Sequence, residues 1–394
     1  MGFKIFDLQR IGGEAVFLVY GENGFVKKAY FVSRAPVRGF ERIVRGKNPV
    51  FVINAVMRIC GICHSAHGIA SAEAIEDAMG ISPPVNGRLV RESIGLVNRI
   101  QSHLIHLFML IPDIVIGDSK TKFFIENIRL LDLINKLLAK LGGSPTHPPF
   151  IVVGGIARSL SEEVVGEAID ISQKILEHYR EFKKSLLEET RDSDKVSLLM
   201  DKRANNKLLA THPYYGDRYN IGLDKIHVLR YEDYRKENLP DEIKKTTSLI
   251  ALYNGEIVEC GPRARLALFH DFSGNSLWDI QLARLLEIEI SIRRVIDLLK
   301  RIEYGEPFST GVLTYRAGRG VGVYEAPRGT LIHRVVLDTN GRVKEYRIIV
   351  PTMFNIPVME SVAEKFPVKY SDLIPRIYDP CIPCSTHIVK FRLN

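Results

Sequence analysis

The chain has 394 residues, 46% hydrophobic and 25% charged, and reads as a folded globular protein able to bury a substantial core. Its formal charge of +8 would suit a nucleic-acid partner, but Lys and Arg are interleaved with Asp and Glu, as in "EHYREFKKSLLEETRDSDK". Solvated helix faces and no nucleic-acid partner are expected. Five cysteines are too few for a disulfide-stabilised secreted scaffold, which points to metal or redox chemistry in a reducing compartment.

Near the start, "EAVFLVY" and "FVKKAYFV" flank "GENG", which predicts a β-hairpin. The N-terminus "MGFKIFDLQRIGGE" lacks the apolar stretch of a secretory signal. The most apolar stretch, "LIHLFMLIPDIVIG", is broken by His106, Pro112 and Asp113 short of the ~20 residues a bilayer span needs. A cytoplasmic location with no direct membrane span is therefore expected.

After "CGICHSAH" the pattern turns helical. From Val90, the residues Ile94, Val97, Gln101, Leu104, Phe108 and Ile111 recur at steps of four and three, and Pro112 is expected to stop that helix with Asp113 just beyond its end. Phe124, Ile128, Leu131 and Leu138 predict a second helix, stopped at Gly142-Gly143. Val164, Ala168, Ile171, Ile175, Phe182 and Leu186 predict a third, after the capping-box-like "SLSE". Residues 183–247 are charge-rich and poorly patterned, and are expected at the surface. A further helix is predicted over 277–302, with Ser276 before it and Asp279 three residues on.

The glycine run "GRGVG", 318–322, lacks the G-x-G-x-x-G spacing and has no helix to receive a pyrophosphate. A tight structural loop is expected there, and no flavin or nicotinamide site in this chain. "IHRVVLDTNGRVKEYRIIV" reads as two strands around an Asn-Gly turn. The fold class expected is α+β, mostly α, in a single domain 1–394. Within it a β-rich part spans 1–58, a helical body 59–310 and a second β-rich part 311–387, followed by a tail, 388–394.

Four of the five cysteines form two C-x-x-C pairs, in "RICGICHSAH" and "YDPCIPCSTH". Most of the chain separates Cys63 from Cys381, so only the global fold can bring the pairs together. Four thiolates suit zinc, a single iron, an iron-sulfur cluster or a nickel-containing centre. Structural zinc needs neither a histidine after each pair nor Asp379 before Cys381. Cys260, in "IVECGPRAR", stands alone and reads as a buried apolar thiol.

With R-x-C-G-x-C-x-x-x-H, D-P-C-x-x-C-x-x-H and, between them, "APVRGFERIVRGK", "GPRAR", "YEAPRG" and "VPTMFN", the sequence resembles the large subunit of nickel-iron hydrogenases over nearly its whole length. In flavour it is nearest to the deazaflavin (coenzyme F-420)-reducing enzymes of methanogenic archaea. The resemblance implies reversible heterolytic cleavage of dihydrogen at a thiolate-bridged nickel-iron centre whose iron carries carbonyl and cyanide. Cys60 and Cys381 would be terminal nickel ligands, Cys381 also accepting the proton, and Cys63 and Cys384 would bridge the metals. His67 would hydrogen-bond a bridging sulfur. Arg328 would stand over the open metal position, held by Asp113 and Asp379, with Pro327 and Thr352 lining the diatomic pocket. Glu41, His387 and the carbonyl of Ile348 would hold a third metal, magnesium or iron.

The paired cysteines being committed, no iron-sulfur cluster or flavin is expected in this chain. An iron-sulfur small subunit is therefore implied, with a flavin- or coenzyme F-420-binding subunit, maturation proteins and a C-terminal processing protease acting after His387. One departure concerns the N-terminus: "RIGGEA" has Gly12 where the family carries a proton-relaying glutamate. Glu14, on the same strand face roughly 7 Å along, is the expected substitute. The alternative reading is a catalytically silent structural subunit of a redox complex, with a four-cysteine zinc or vacant site.

Overall fold

Three antiparallel strands open the chain: β1 (Gly2–Asp7), β2 (Ala15–Glu22) and β3 (Phe25–Ser33), in the order β1-β2-β3. The hairpin expected around "GENG" is β2 with β3, in register from Ala15 opposite Ser33 to Glu22 opposite Phe25. The computed structural model describes residues 2–386 except Asn238; His387 and the tail 388–394 lie outside the described residues. Short helix α1 (Phe40–Ile43) and helix α2 (Pro49–Met57) then lead to α3 (His64–Met79), which is apolar or small on nearly every side and buried along most of its length.

The helical body follows, with α4 (Val85–Ile114), α5 (Ser119–Gly142), α6 (Glu162–Glu189) and α7 (Leu277–Leu299) packed side by side. In α4 the expected stripe is buried at Ile94, Val97, Leu104 and Ile111, whereas Phe108 is partly exposed and meets the Phe124 ring at 4.9 Å. Pro112 does not stop this helix. It lies in the last turn, with only two helical residues after it, and Val115 N–H still closes the turn on the Ile111 carbonyl at 3.0 Å. Asp113 is therefore inside α4. By length and composition α4 could cross a membrane, but 83% of its apolar window is buried in the fold, as befits a core helix.

The α5 prediction is right in period and, except at Leu138, wrong in phase. Its buried stripe is Phe123, Asn127, Leu130, Ile134, Leu137, Leu138 and Leu141, which leaves Ile128 exposed and Phe124 and Leu131 half-buried, and Gly143 ends it in the left-handed region at φ 85°. Ser161 alone caps α6, accepting from Val164 N–H at 3.3 Å; the reciprocal carboxylate of a capping box is missing because Glu162 occupies the first helical position. The box does form at the start of α7, where Ser276 and Asp279 satisfy each other's backbone. Residues 183–247 are less superficial than expected, with Thr211, Tyr231, Leu239 and Ile243 buried. Glu360 holds this segment by accepting from Tyr231 and Arg235.

The second sheet is β4 (Gly318–Ala326), β5 (Gly329–Leu337) and β6 (Val343–Ile349), antiparallel in that order, with the Asn-Gly turn between β5 and β6. The expected loop at "GRGVG" is instead the first half of β4. Gly318, Gly320 and Gly322 share one strand face, and a Cβ on them would lie 1.8, 2.1 and 2.0 Å from the carbonyl oxygens of Ala78, Ala74 and Ala70. Strand period two meets helix period four, and only glycine lets the backbones come so close. Helix α8 (Pro351–Val362) and helix α9 (Leu373–Tyr378) complete the core. Asp379 ends α9 in the left-handed region at φ 56° and turns the chain into the second cysteine pair.

Candidate metal centre

Two buried loops form the site. Cys60 lies in the turn before α3 and Cys63 occupies the N-cap of that helix, while Cys381 and Cys384 follow α9. Gly12 pairs with Cys381 as an isolated parallel bridge, and Ile382 N–H donates to the Gly12 carbonyl at 2.8 Å, so the N-terminal loop braces the C-terminal pair. Arg38 ties the two cysteine loops together: its guanidinium donates to the Ile59 carbonyl and to that of Pro383 at 2.7 Å, and its N–H donates to the Thr386 carbonyl at 3.1 Å.

The four sulfurs all lie within 4.8 Å of one another. Cys60 and Cys381 are 3.3 Å apart, Cys63 and Cys384 3.2 Å, and Cys381 and Cys384 2.9 Å. Hydrogen bonds from Cys381, Cys384 and Cys63 hold the Cys60 thiol well below its usual range, whereas burial pushes that of Cys384 well up. Four thiolates so close and so dry repel one another. Only bound cations could keep them all ionised, and soft sulfur donors select transition metals, so the donor set fits a thiolate-held nickel-iron pair.

Pro327 and Arg328 form the two-residue turn between β4 and β5, where Ala326 pairs with Gly329. A Cβ at Gly329 would lie 2.4 Å from the Cys260 Cβ, so the buried Cys260 sits tightly under this turn, as an apolar thiol. Arg328 is 3% exposed. It donates to the Asp379 carbonyl, to Asp379 Oδ1 at 2.8 Å and to Ser102 Oγ at 3.3 Å. Burial alone would raise the Asp379 carboxyl, but Arg328 and Arg284 hold it well below the usual range. Arg328 and Thr352 line a small cavity of about 10 Å³, little more than one water, together with Cys63, Cys381, Cys384 and His67. Thr352 Oγ1 also accepts from Cys381 N–H at 3.0 Å.

Three expected neighbours are placed differently. Pro327 is not in the cavity wall; its carbonyl accepts from Arg265 at 3.1 Å, and Ala326 lines the cavity instead. Asp113 does not hold Arg328. Its carboxylate is taken by Arg376 at 2.8 Å and Arg10 at 2.9 Å, because the last turn of α4 faces α9 and the N-terminal loop; Ser102, three turns earlier, takes the expected place. Glu14 is exposed at the start of the hairpin, and Gly12 is the residue beside Cys381.

His67 Nε2 lies 3.4 Å from Cys384 Sγ, and its Nδ1 lies 3.1 Å from His333 Nε2. His333 Nδ1 meets the Tyr346 hydroxyl at 2.8 Å, which in turn meets Ser71 Oγ at 2.7 Å. Glu41 is buried on α1, accepting from Ile348 N–H at 2.7 Å and facing Arg347 at 3.4 Å. Burial pushes its carboxyl up to about 7 against those two donors. His387 lies outside the described residues. The sequence reading missed Arg38, Ser102 and Arg284. Arg38 lay within the quoted "APVRGFERIVRGK" without a role, and Ser102 stood as a polar residue beside the apolar stripe of α4.

The family described as Nickel-dependent hydrogenase matches residues 38–113 and 281–387. The chain is 37% identical to the coenzyme F420 hydrogenase subunit alpha of Methanocaldococcus jannaschii, over 96% of this chain and 92% of that one. It is 30% identical to the sulfhydrogenase 2 subunit alpha of Pyrococcus furiosus, over 99% of this chain and 100% of the other. Its fold is similar to that of the Ni-Fe-Se hydrogenase from Desulfovibrio vulgaris Hildenborough in the reduced state, with TM-score 0.82 at 22% identity over 98% of this chain and 100% of that one.

Proposed function

The chain belongs to the nickel-dependent hydrogenases as their catalytic large subunit, and from that premise we propose how its residues divide the work. Cys60 and Cys381 would hold the nickel, Cys63 and Cys384 would serve both metals, and the iron would carry carbonyl and cyanide. When bound, the metal pair supplies the Lewis-acid and redox chemistry by which dihydrogen is polarised and its electrons are taken up. The observation that carries this reading is the convergence of four buried sulfurs within 4.8 Å of one another, three of which, Cys63, Cys381 and Cys384, line one pocket with Arg328.

Arg328 acts as fixed positive charge over that cavity, with Asp379 holding its planar fork in one orientation. Thr352 lines the diatomic pocket and fixes the Cys381 backbone. His67 stands against Cys384 through Nε2, and His333 and Tyr346 hold its ring from behind. Cys381 accepts the proton of heterolysis. Glu14 is exposed to solvent in this pose, and Gly12, which has no side chain to take the proton, is the residue beside Cys381. Glu41, the Ile348 carbonyl and His387 would hold magnesium or iron at a third site, and a processing protease would remove residues 388–394 after maturation proteins had supplied the nickel.

Electrons leave through an iron-sulfur small subunit, since among the described residues the one remaining cysteine is the isolated Cys260. The exposed Gly61, inside the first cysteine loop, marks the face where that subunit can come nearest to Cys60. A coenzyme F-420-binding flavin subunit is the proposed acceptor in a cytoplasmic complex. Of the relatives named for that coenzyme two are 37% and 33% identical and a third 26%, beside 28% for one named F420-non-reducing, so the support lies in the first two.

Metal analysis and infrared spectroscopy of the purified complex test the reading. Nickel and iron with bands of metal-bound carbonyl and cyanide are expected; zinc without such bands would refute it.

A further inference from the structure

Behind Asp379 a second buried array converges from α4 and α7. Arg284 NH1 lies 3.4 Å from Asp379 Oδ2 and 3.1 Å from His103 Nδ1, and His103 Nε2 lies 2.7 Å from Glu287 Oε2. Arg265 forks onto both oxygens of Glu287 at 2.5 and 2.8 Å, and Arg99 approaches at 3.5 Å. Arg99, His103, Arg265, Arg284 and Glu287 are all buried.

The partners fix the protonation of His103. A guanidinium only donates, so Nδ1 accepts from Arg284; a carboxylate clasped by two arginines only accepts, so Nε2 carries the hydrogen and gives it to Glu287. An imidazolium would turn an Nδ1–H against an Arg284 N–H. His103 is thus a neutral spacer between a carboxylate and a guanidinium. One hydrogen of Arg284 NH1 goes to His103 and leaves the other for Asp379.

The next turn of α4 adds His106, whose Nε2–H is taken by Gln281 Oε1 at 2.9 Å while Gln281 Nε2 donates to the Ile377 carbonyl at 2.8 Å. Its Nδ1 faces Asp379 Oδ1 at 3.6 Å, beyond hydrogen-bonding distance, so Arg284 and Arg328 are the groups that donate to the Asp379 carboxylate.

We propose that His103, locked as the Nε2–H tautomer between Glu287 and Arg284, is a positioning residue for dihydrogen cleavage: it aims Arg284 at Asp379 and so fixes the carboxylate that orients Arg328. This rests on Arg328 acting over the metal site. Replacing His103 with leucine removes both bonds. Glutamine restores one acceptor and one donor.

In the purified complex, His103→Leu should lower kcat for dihydrogen oxidation by tenfold or more, leave KM and the nickel and iron content near wild type, and shift the cyanide bands. His103→Gln should recover most of kcat, with a pH profile of wild-type shape. Wild-type kcat and unshifted bands in a fully loaded His103→Leu enzyme would overturn the proposal. So would loss of a limb of the pH profile in His103→Gln, since His103 would then be carrying protons. If His103→Leu does not fold, Arg284→Lys takes its place: one ammonium on a flexible stem cannot hold His103 and Asp379 in the planar fork geometry, and wild-type kcat there overturns the proposal equally. Arg328→Lys separates the two readings. Full activity in that variant removes the premise; loss there with full activity in His103→Leu removes only the positioning role.

Discussion

Burial pushes His103 down to about 3, against the hydrogen bond of Glu287, and His64 down to about 4. Both are neutral in the folded chain at pH 7, while in the unfolded chain they titrate near 6.5. Below that value the unfolded state binds more protons, so stability is complete above pH 6.5 and falls as the pH drops toward 4, by about 1.4 kcal/mol per residue for each unit crossed. The melting temperature should therefore fall between pH 7 and 4, and fall less in His103→Gln, which has no proton to gain. Parallel curves for the two proteins would show that His103 is not held neutral. At the same scale, Arg328→Lys keeps the charge and loses the fork, so turnover should drop about a hundredfold with metal content intact; wild-type turnover would exclude Arg328 from the chemistry. The cysteines, Arg328 and Asp379 were legible in the sequence because their chemistry depends on residue type within a short motif. The partner of Asp113 was not, because Arg10 and Arg376 reach it from opposite ends of the chain and no local pattern records that.

The contact of β4 with α3 sets the distance between the sheet that carries Arg328 and the helix that carries Cys63 and His67. Gly320→Ala would place its Cβ 2.1 Å from the Ala74 carbonyl and 2.3 Å from the Ala78 nitrogen. Both neighbours are helix backbone and cannot move aside, so a loss of about 1–3 kcal/mol is expected, read as a lower melting temperature. Gly166→Ala is the opposite case: the glycine lies exposed in α6 with nothing within 4 Å of a Cβ, and the substitution should stabilise by up to ~1 kcal/mol. A tolerated Gly320→Ala would mean that α3 and β4 can separate. Among the elements, the long helices were readable because apolar residues repeat at their period. The phase of α5 was not, since Phe123 and Phe124 fit the repeat equally well and only packing on α6, where Phe123 meets Phe182, chooses between them. The strand at "GRGVG" was hidden for a related reason: its small residues are dictated by the helix they touch, and glycine in a sequence signals a turn before it signals close packing.

Across the whole molecule the two cysteine pairs, 321 positions apart, are also joined by contacts from the N-terminal segment. Gly12 pairs with Cys381, and Arg38 spans from Ile59 before the first pair to Pro383 inside the second. The sequence showed that the pairs must meet but not what would hold them, because the holding groups are backbone carbonyls, which carry no residue signature. Arg38 is exposed, so its bonds to those carbonyls compete with water and each contributes about 1–2 kcal/mol at most. Their joint effect lies in the rate at which the C-terminal loop opens, since the metals can leave only when Cys381 and Cys384 part from Cys60 and Cys63. Arg38→Ala should therefore release nickel to a chelator several-fold faster than wild type, while Arg38→Lys, which keeps a donor but not the reach to both loops, should fall between them. Equal release rates in all three proteins would mean that the Gly12 bridge and the burial of the last turn hold the centre closed without the arginine.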